Sequence, residues 1–380
     1  LVKHYRILYI NYVLFKILNN KKILQNYFKS ISYKFFKTIY GTVDGKTSHI
    51  DDEDIILTKV KIDENYYNIY NCKSCSFYTD RIHDTAIIKN NKIVEGPSFQ
   101  LRNNTNVDCL KNSVFSKGTP RFRKKINGAV FSLLTGGGGN SNYWHWMFDV
   151  LPRLNIFEKK NLDPDYYLFP DLNTRFQKET LDLLDIKEKK RLSSRKLRHF
   201  YAREIIITSH PYTILNDPNV DSLKIPIWIS KYLNLKFLEK AITKSRIKNF
   251  PKKIYINRKD ATSLRYIINK EEVENILSNF GYENLTMSDY SFIDQVALFY
   301  NANEIIGLHG AGFANIVFCK QGSKIIEIRP NSAGDVIKNL AEANKHIYYD
   351  ISVMPKTINF NNQAGDIEIN LEELKNKLKL

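Results

Sequence analysis

One stretch, GLHGAGFANIVFCKQGSKIIEIR at Gly307–Arg329, constrains the fold of this chain more than any other. The apolar run Glu304–Leu308 leads into it, as expected of a strand buried on both faces. His309-Gly310-Ala311-Gly312 predicts a tight turn, because glycine lets the backbone approach another group closely. A short helix over Phe313–Cys319 and a strand over Lys324–Ile328 should follow. The helix N-terminus can bind an anion, although a turn that merely closes a βα unit would show the same pattern.

Strands and helices alternate through much of the remaining chain. Predicted strands lie at Ala129–Leu134, Tyr166–Phe169, Glu204–Thr208, Ile254–Asn257 and Ile347–Ile351. Predicted helices lie at Arg175–Leu184, Ile227–Ile242, Lys270–Phe280, Phe292–Ala302 and Asp335–Ala343. This order predicts an α/β protein with two doubly wound, Rossmann-like domains that face a cleft. The expected divisions are a basic segment and connector (1–60), a first domain (61–245), a second domain (246–360) and a C-terminal helix (361–380).

The chain is strongly basic, with a formal net charge of +17 over 380 residues, which favours anionic partners. Residues 1–40 hold eight Lys or Arg and no acid, interleaved with Leu, Ile, Tyr and Phe. Such a segment can lie on an anionic membrane surface or pack as a basic helix on the globular body. The apolar run Ile7–Phe15 is too short to span a bilayer and lacks the cleavage signal of a secretory peptide.

The sequence offers little support for a metal site. Cys72 and Cys75 have C-x-x-C spacing, but no second such pair completes a zinc site, so a buried thiol pair is expected. Asp163-Pro164-Asp165 has the spacing of a D-x-D motif, but it precedes a strand rather than following one. We therefore expect no required metal or other cofactor.

The helix that follows the tetraglycine Gly136–Gly139 carries the first candidate site. His145 and Asp149 lie one helical turn apart, so the carboxylate can orient the imidazole as a general base. A buried structural histidine would show the same spacing. The neighbouring aromatic residues Tyr143 and Trp144 could bind a sugar or a base, and Pro152 is expected to end or kink the helix.

The second candidate site combines cations with the glycine turn. Arg258 follows a strand, and Arg265 lies seven residues further on; guanidinium groups there suit bidentate binding of a phosphate. Glu327 lies on the next strand and could accept hydrogen bonds from ribose hydroxyls. The alternatives are a solvated basic loop and a glutamate paired with Arg329.

Taken together, these stretches resemble family 61 of the glycosyltransferases, the DUF563 group. The similarity covers about Val130 to Pro330. It rests on residues 142–154 (NYWHWMFDVLPRL), Tyr255-Ile256-Asn257-Arg258 with Arg265 and Asn269, Asp294-Gln295, residues 308–315 (LHGAGFAN) and Ile326-Glu327-Ile328.

The resemblance implies a GT-B architecture and an inverting transferase that uses a UDP-sugar without an obligatory metal. It implies His145 as the base, oriented by Asp149. Donor-binding residues would be Arg258, Arg265, His309, Gly310, Ala311, Gly312, Asn315 and Glu327. Residues of the acceptor site or cleft would be Asn142, Tyr143, Trp144 and Arg153. Asp80 and Asp84 remain alternative candidates for the base.

The expected function is synthesis of a surface polysaccharide, such as a capsule or lipopolysaccharide, on a glycan or lipid-linked acceptor. A cytoplasmic enzyme at the inner membrane face fits the basic N-terminus, while a Golgi-lumen or viral relative stays open. A polysaccharide pyruvyltransferase-like enzyme that uses phosphoenolpyruvate is the rival enzyme class. A nucleic-acid-binding protein is disfavoured, because the cations are dispersed and no recognised binding motif occurs.

Overall fold

The computed structural model describes residues 2–80, 84–98, 100–102, 105–134, 141–160, 162–212, 224–261, 265–357 and 365–380. Within these ranges the side chains of residues 2–20, 100–102 and 105–106 are not described. The tetraglycine Gly136–Gly139, singled out in the sequence, lies outside the described residues.

The described strands fall in chain order as follows: β1 (Lys46–Thr47), β2 (Ile55–Ile62), β3 (Asn65–Thr79), β4 (Thr85–Lys89), β5 (Lys92–Val94), β6 (Gln100–Arg102), β7 (Thr105–Val107), β8 (Lys124–Ser132), β9 (Tyr166–Phe169), β10 (Arg191–Ser193), β11 (His199–Thr208), β12 (Lys253–Ile256), β13 (Glu283–Leu285), β14 (Glu304–Leu308), β15 (Lys324–Pro330) and β16 (Ile347–Val353).

The described α-helices are Val2–Tyr40, Val114–Lys117, Tyr143–His145, Pro152–Glu158, Arg175–Leu183, Ile227–Lys244, Lys270–Asn279, Phe292–Asn301, Val336–Ala343 and Leu371–Lys379. A π-helical turn spans Trp146–Val150. Short 3₁₀ helices lie at Cys109–Lys111, Glu188–Lys190, Met287–Asp289 and Ala311–Phe318.

The first sheet is mixed rather than purely parallel. Its main path runs β1-β5-β4-β3-β11-β8-β9-β10, and β2 pairs with β3. The strands β11, β8, β9 and β10 are parallel, as expected of a Rossmann-like half, whereas β2 to β5 form antiparallel ladders. The expectation of a doubly wound N-terminal half therefore holds for the parallel strands only.

The connector expected within residues 1–60 contains β1 and most of β2. Its acidic residues form the turn before β2, and Ile55 and Ile62 are buried at the two ends of that strand. Strands β4 and β5 form an antiparallel hairpin around Asn90-Asn91. Both asparagines have positive φ, 49° and 61°, a conformation that asparagine tolerates better than most residues.

The second sheet is wholly parallel, with the order β13-β12-β14-β15-β16. Helices cover both faces, and the predicted bounds of β14 agree with the structure. The strand order reverses between β12 and β14, since β13 lies on one side of β12 and β14 on the other. In such sheets the crevice outside the carboxyl ends of the two central strands is the usual ligand site.

The two sheets share one hydrophobic core. A single cluster of buried residues includes Phe131 and Trp146 from the first half, Phe299 and Phe313 from the second, and Phe237 from the helix Ile227–Lys244. That helix contacts both Phe292–Asn301 and Ala311–Phe318. Burial of these large rings stabilises the contact between the halves, because apolar area removed from water is the main favourable term in folding.

The N-terminal helix Val2–Tyr40 meets the first sheet through its carboxyl end, where Phe36 is buried. Among the described helices, none has the length and apolarity that crossing a bilayer requires.

The helix Leu371–Lys379 packs on the second sheet, and Leu374 is fully buried there. Replacing Leu374 with alanine should lower the free energy of unfolding by about 2–5 kcal/mol, because transfer energy is lost and a cavity remains. The matched change Leu235→Ala, at a side chain that is 79% exposed, should alter it by less than about 0.5 kcal/mol. Urea unfolding followed by circular dichroism measures both; equal losses would contradict the packing described.

Candidate active site

In the first sheet, strand order reverses between β8 and β11, which lie side by side and parallel. The chain leaves the carboxyl end of β8 towards β9 through the helical residues 143–158, which we call the cleft helix. The loop Ser209–Tyr212 leaves the neighbouring end of β11. Residues from both segments therefore meet in the crevice that this topology creates.

The cleft helix begins at Asn142, whose side-chain oxygen accepts hydrogen bonds from the amides of Trp144 at 2.9 Å and His145 at 3.4 Å. This is ordinary N-capping by asparagine. Pro152 was expected to end or kink the helix; the helical path continues through it, but the α-helix is interrupted just before it. The π-helical turn Trp146–Val150 precedes it, and Pro152 then takes the first position of Pro152–Glu158, where its missing N–H costs little.

His145, Asp149 and Tyr212 form a hydrogen-bonded chain. Nδ1 of His145 lies 2.7 Å from Oδ2 of Asp149, and the Tyr212 hydroxyl donates to Oδ1 at 2.5 Å. Asp149 is buried, whereas the His145 side chain is 42% exposed. A neutral imidazole that donates Nδ1–H to Asp149 presents Nε2 as a proton acceptor. The predicted pairing of His145 with Asp149 is thus present, in an orientation that suits a general base.

The charges of this pair stabilise each other. Burial alone would raise the pKa of Asp149, but the charge and hydrogen bond of His145, together with the hydrogen bond from Tyr212, hold that pKa below its usual value. Burial likewise opposes protonation of His145, yet Asp149 outweighs it and raises the His145 pKa above 6.5. His210, whose Nε2 lies 4.0 Å from Asp149, remains neutral because burial lowers its pKa to about 4.

Arg153 lies beneath the site rather than in the cleft. Its side chain is buried, Nε donates to the Asp149 carbonyl at 2.7 Å, and Nη1 donates to the carbonyl of Thr208 at 3.2 Å. Burial lowers its pKa to about 10. These bonds tie the cleft helix to the end of β11, which favours a structural role for Arg153 over the predicted place in the acceptor site or cleft.

Asp80 and Asp84, the alternative bases, lie at the end of the first sheet that is opposite to His145. They flank the turn between β3 and β4, where Thr79 bonds to the carbonyl of Arg198 just before β11 begins. The 10 residues of β11 separate that end of the sheet from His145 by about 30 Å, at roughly 3.3 Å per residue. This separation excludes both aspartates as partners of the same reacting group.

In the second sheet, where strand order reverses between β12 and β14, Arg258 and Arg265 converge on one carbonyl. Their Nη1 atoms donate to the His309 oxygen at 3.1 and 2.8 Å. Among the described residues, neither Nε has a hydrogen-bond partner, although both atoms are buried. Burial lowers the pKa of Arg258; burial together with the charge of Arg258 lowers that of Arg265 to about 10. Two desolvated cations this close would be stabilised by an anion.

The glycine turn allows this convergence. A Cβ atom on Gly310 would lie 2.2 Å from Nη1 of Arg258, so any side chain there would displace the guanidinium. A Cβ on Gly312 would lie 3.2 Å from Ile256, at the end of β12. The helix predicted over Phe313–Cys319 is the 3₁₀ helix Ala311–Phe318, and its first amides leave the turn beside Arg258.

Glu327 has a different environment from the one predicted. It is fully buried in β15, one carboxylate oxygen bonds to Nδ1 of His309, and the other accepts the Tyr348 hydroxyl at 2.6 Å. Both oxygens are engaged, so the geometry favours a brace for His309 over a contact with ribose. Arg329 instead pairs with Asp335 at 2.8 Å.

A polar chain joins the two candidate sites. The Tyr143 hydroxyl donates to Oδ1 of Asn315 at 2.5 Å, and Nδ2 of Asn315 donates to Gln295 at 3.1 Å. Asn315 is fully buried, so it acts as a bridge rather than as a donor-binding side chain. The first turn of the cleft helix thereby contacts Ala311–Phe318, so the two candidate sites lie on elements that touch each other.

Sequence reasoning missed Tyr212, His210 and Tyr348. The signal for the first two was present: Ser209-His210-Pro211-Tyr212 directly follows a buried strand. Their proximity to Asp149 depends on β11 lying beside β8, a pairing that no local pattern encodes. Tyr348 lies on β16, and only the parallel register between β15 and β16 brings it to Glu327.

Part of the chain matches a known protein family. Residues 143–326 match the family model described as Glycosyltransferase 61. The match begins at the first turn of the cleft helix and ends in β15, so it contains His145, both arginines and the glycine turn. This match, over nearly half of the chain, supports assignment to glycosyltransferase family 61 and glycosyl transfer as the activity. No curated protein matches the chain significantly.

The pairing of His145 with Asp149 can be tested without substrate. In an NMR titration, the imidazole of His145 should titrate above pH 6.5, and Asp149→Asn should lower its pKa, because burial then acts without the compensating carboxylate. The exposed control Asp163→Asn should change nothing. A native His145 that titrates below 6.5 would contradict the described pair.

The raised pKa of His145 also makes the stability of the fold depend on pH. Because the folded-state pKa of His145 is raised, the pair contributes stability that is fully present below pH 6.5. That contribution is lost as the pH rises through the folded-state pKa.

Proposed function

We propose that the protein is an inverting glycosyltransferase that moves a sugar from a UDP donor to a hydroxyl of a glycan or lipid-linked acceptor. The proposal assigns the two sheets to the two Rossmann-like halves of a GT-B arrangement. Its main support is the Tyr143–Asn315 hydrogen bond, which joins the helix that carries His145 and Asp149 to the segment that follows the glycine turn.

In the proposed mechanism, residues of the cleft helix activate the acceptor hydroxyl. Nε2 of His145 accepts the proton of the attacking hydroxyl while that oxygen forms a bond to the anomeric carbon of the donor sugar. Asp149 fixes the imidazole and stabilises the imidazolium that results, and Tyr212 holds the carboxylate. Asn142 sets the start of this helix, and the half-buried ring of Trp144 is our candidate platform for the sugar.

Residues at the carboxyl end of the second sheet bind the donor and stabilise its leaving group. As the bond between the anomeric carbon and the β-phosphate oxygen breaks, the diphosphate leaves with its electron pair. Arg258, Arg265 and the amides of Gly310, Ala311 and Gly312 stabilise that charge. His309, fixed by Glu327, presents the carbonyl that holds both guanidinium groups in place. Cations of the protein thus perform the task that a metal performs in other transferases.

The remaining assignments rest on the sequence. We propose surface-polysaccharide synthesis, of the capsule or lipopolysaccharide type, at the cytoplasmic face of a membrane. Residues 1–40 would contact anionic lipid, and nucleic acid is not among the expected partners. The transferred sugar is taken to be a hexose or pentose.

Donor binding should depend on the space above Gly310. Isothermal titration with UDP-sugars should show about 10- to 100-fold weaker binding for Arg258→Ala, which removes a charge-assisted contact, and for Gly310→Ala, whose Cβ displaces the Arg258 guanidinium from that contact. Gly45→Ala is the matched control, because a Cβ atom there meets nothing within 4 Å. Binding that is unchanged in Gly310→Ala, or a native protein that binds phosphoenolpyruvate and no nucleotide sugar, would overturn the donor site.

Turnover should depend on His145 separately from donor binding. His145→Ala should bind the UDP-sugar normally and lose about 100-fold or more of its transfer rate. For the native enzyme, kcat should rise with pH through a value above 6.5, because only neutral His145 accepts a proton. A pH profile that is the same in native protein and in Asp149→Asn would remove this pair from the reaction.

A further inference from the structure

The described end of the N-terminal helix, residues 21–40, contacts the globular body through a narrow face. Phe36 is buried, and the Tyr40 ring lies edge-on to His199 with ring centroids 5.0 Å apart. Lys37 donates to the Ser116 carbonyl at 2.7 Å. These contacts hold the helix against the first sheet and turn its opposite face outward.

The outward face of this helix is apolar. Exposed large side chains recur every three or four residues, which places them along one side of a helix. They are Ile23, Leu24, Tyr27, Phe28, Ile31, Phe35 and Ile39, and we call this row the apolar stripe. A contiguous exposed apolar surface of this kind usually contacts a partner.

The apolar stripe continues onto the globular body through Phe122, whose ring is 71% exposed and packs edge-on against Phe35 and Phe36. Phe122 also lines a cavity of about 260 Å³. The cationic residues around this cavity are Arg121, Lys124, Arg195, Lys196 and Arg198, and none of its described lining residues is acidic. We call this cavity the cationic pocket.

Lysines border the helix on its other side as well. A second cavity, of about 550 Å³, lies between the helix and the segment Ser116–Lys117, and Lys29, Lys34, Lys37 and Lys117 line it. The apolar stripe therefore runs between two positively charged surfaces. Both are remote from the candidate active site, since the cationic pocket lies at the amino ends of β8 and β11, about 30 Å from their carboxyl ends.

We propose that the apolar stripe and the cationic pocket form one docking surface for an anionic phospholipid bilayer. The stripe enters the boundary between headgroups and acyl chains, and the pocket binds headgroup phosphates. This inference extends the proposed membrane partner to residues 121–124 and 195–199, and it does not depend on donor chemistry.

Charge complementarity favours the bilayer over other occupants. A second copy of the chain, packed stripe against stripe, would bring two cationic surfaces together without a carboxylate between them. Nucleic acid would neutralise the pocket but would leave the apolar stripe in water. An anionic bilayer satisfies both features at once.

Vesicle flotation of the full chain tests the proposal. The native protein should float with vesicles of phosphatidylcholine and phosphatidylglycerol, and not with phosphatidylcholine alone. The pocket variant Lys124→Gln/Arg195→Gln/Lys196→Gln should bind about tenfold more weakly or worse, since each cation near an anionic surface contributes to binding. The stripe variant Phe28→Ser/Ile31→Ser should also lose binding.

A charge-matched control separates the pocket from net charge. Lys244→Gln/Lys248→Gln/Lys338→Gln removes the same charge from exposed positions elsewhere and should bind like the native protein. Equal binding by the pocket and control variants, equal binding to neutral vesicles, or competition by DNA with no effect of the stripe variant would overturn the proposal. Thermal unfolding of each variant reports folding, and UDP-sugar binding is measured separately, so a failure of the donor site would leave this test intact.

Discussion

The buried hydrogen bond between Tyr143 and Asn315 connects the two halves of the candidate site. Its donor stands in the first turn of the cleft helix, and its acceptor lies just beyond the glycine turn, so it links the carboxyl edges of the two sheets. The shared core around Trp146, Phe237 and Phe313 supplies the apolar contact that keeps this bond out of water. A buried polar bond of this kind specifies one relative placement, because any other would leave both groups unpaired.

Each half of the molecule contains the same hydrogen-bonded arrangement of a histidine, a carboxylate and a tyrosine. A histidine bonds to a buried carboxylate, and a tyrosine hydroxyl donates a hydrogen bond to the other oxygen of that carboxylate. In the first half these are His145, Asp149 and Tyr212; in the second they are His309, Glu327 and Tyr348. The two differ in exposure: the His145 side chain is 42% exposed, whereas that of His309 is 5% exposed. This difference supports the roles proposed above, which are proton transfer for the first histidine and positioning of the arginines for the second.

Local patterns predicted the second sheet closely. Strands such as Glu304–Leu308 are short apolar runs bounded by turn residues, and helices such as Phe292–Asn301 carry their own caps, so periodicity and capping suffice. Arg258, Arg265 and the glycine turn were likewise found because each follows a strand in a parallel sheet. The antiparallel strands β2 to β5 were harder, since β2 follows an acidic turn that resembles a linker. The buried roles of Arg153, Asn315 and Glu327 depend on long-range contacts, which a single sequence does not contain.

The crystal structure of the protein with UDP tests the central claim most directly, because that claim concerns where the diphosphate lies. The account predicts phosphate oxygens within hydrogen-bonding distance of Arg258, Arg265 and the amides of the glycine turn, with Nε2 of His145 facing the open side of the β-phosphate. UDP bound in the cationic pocket beside Phe122, or anywhere that leaves both arginines without the phosphate, would contradict it.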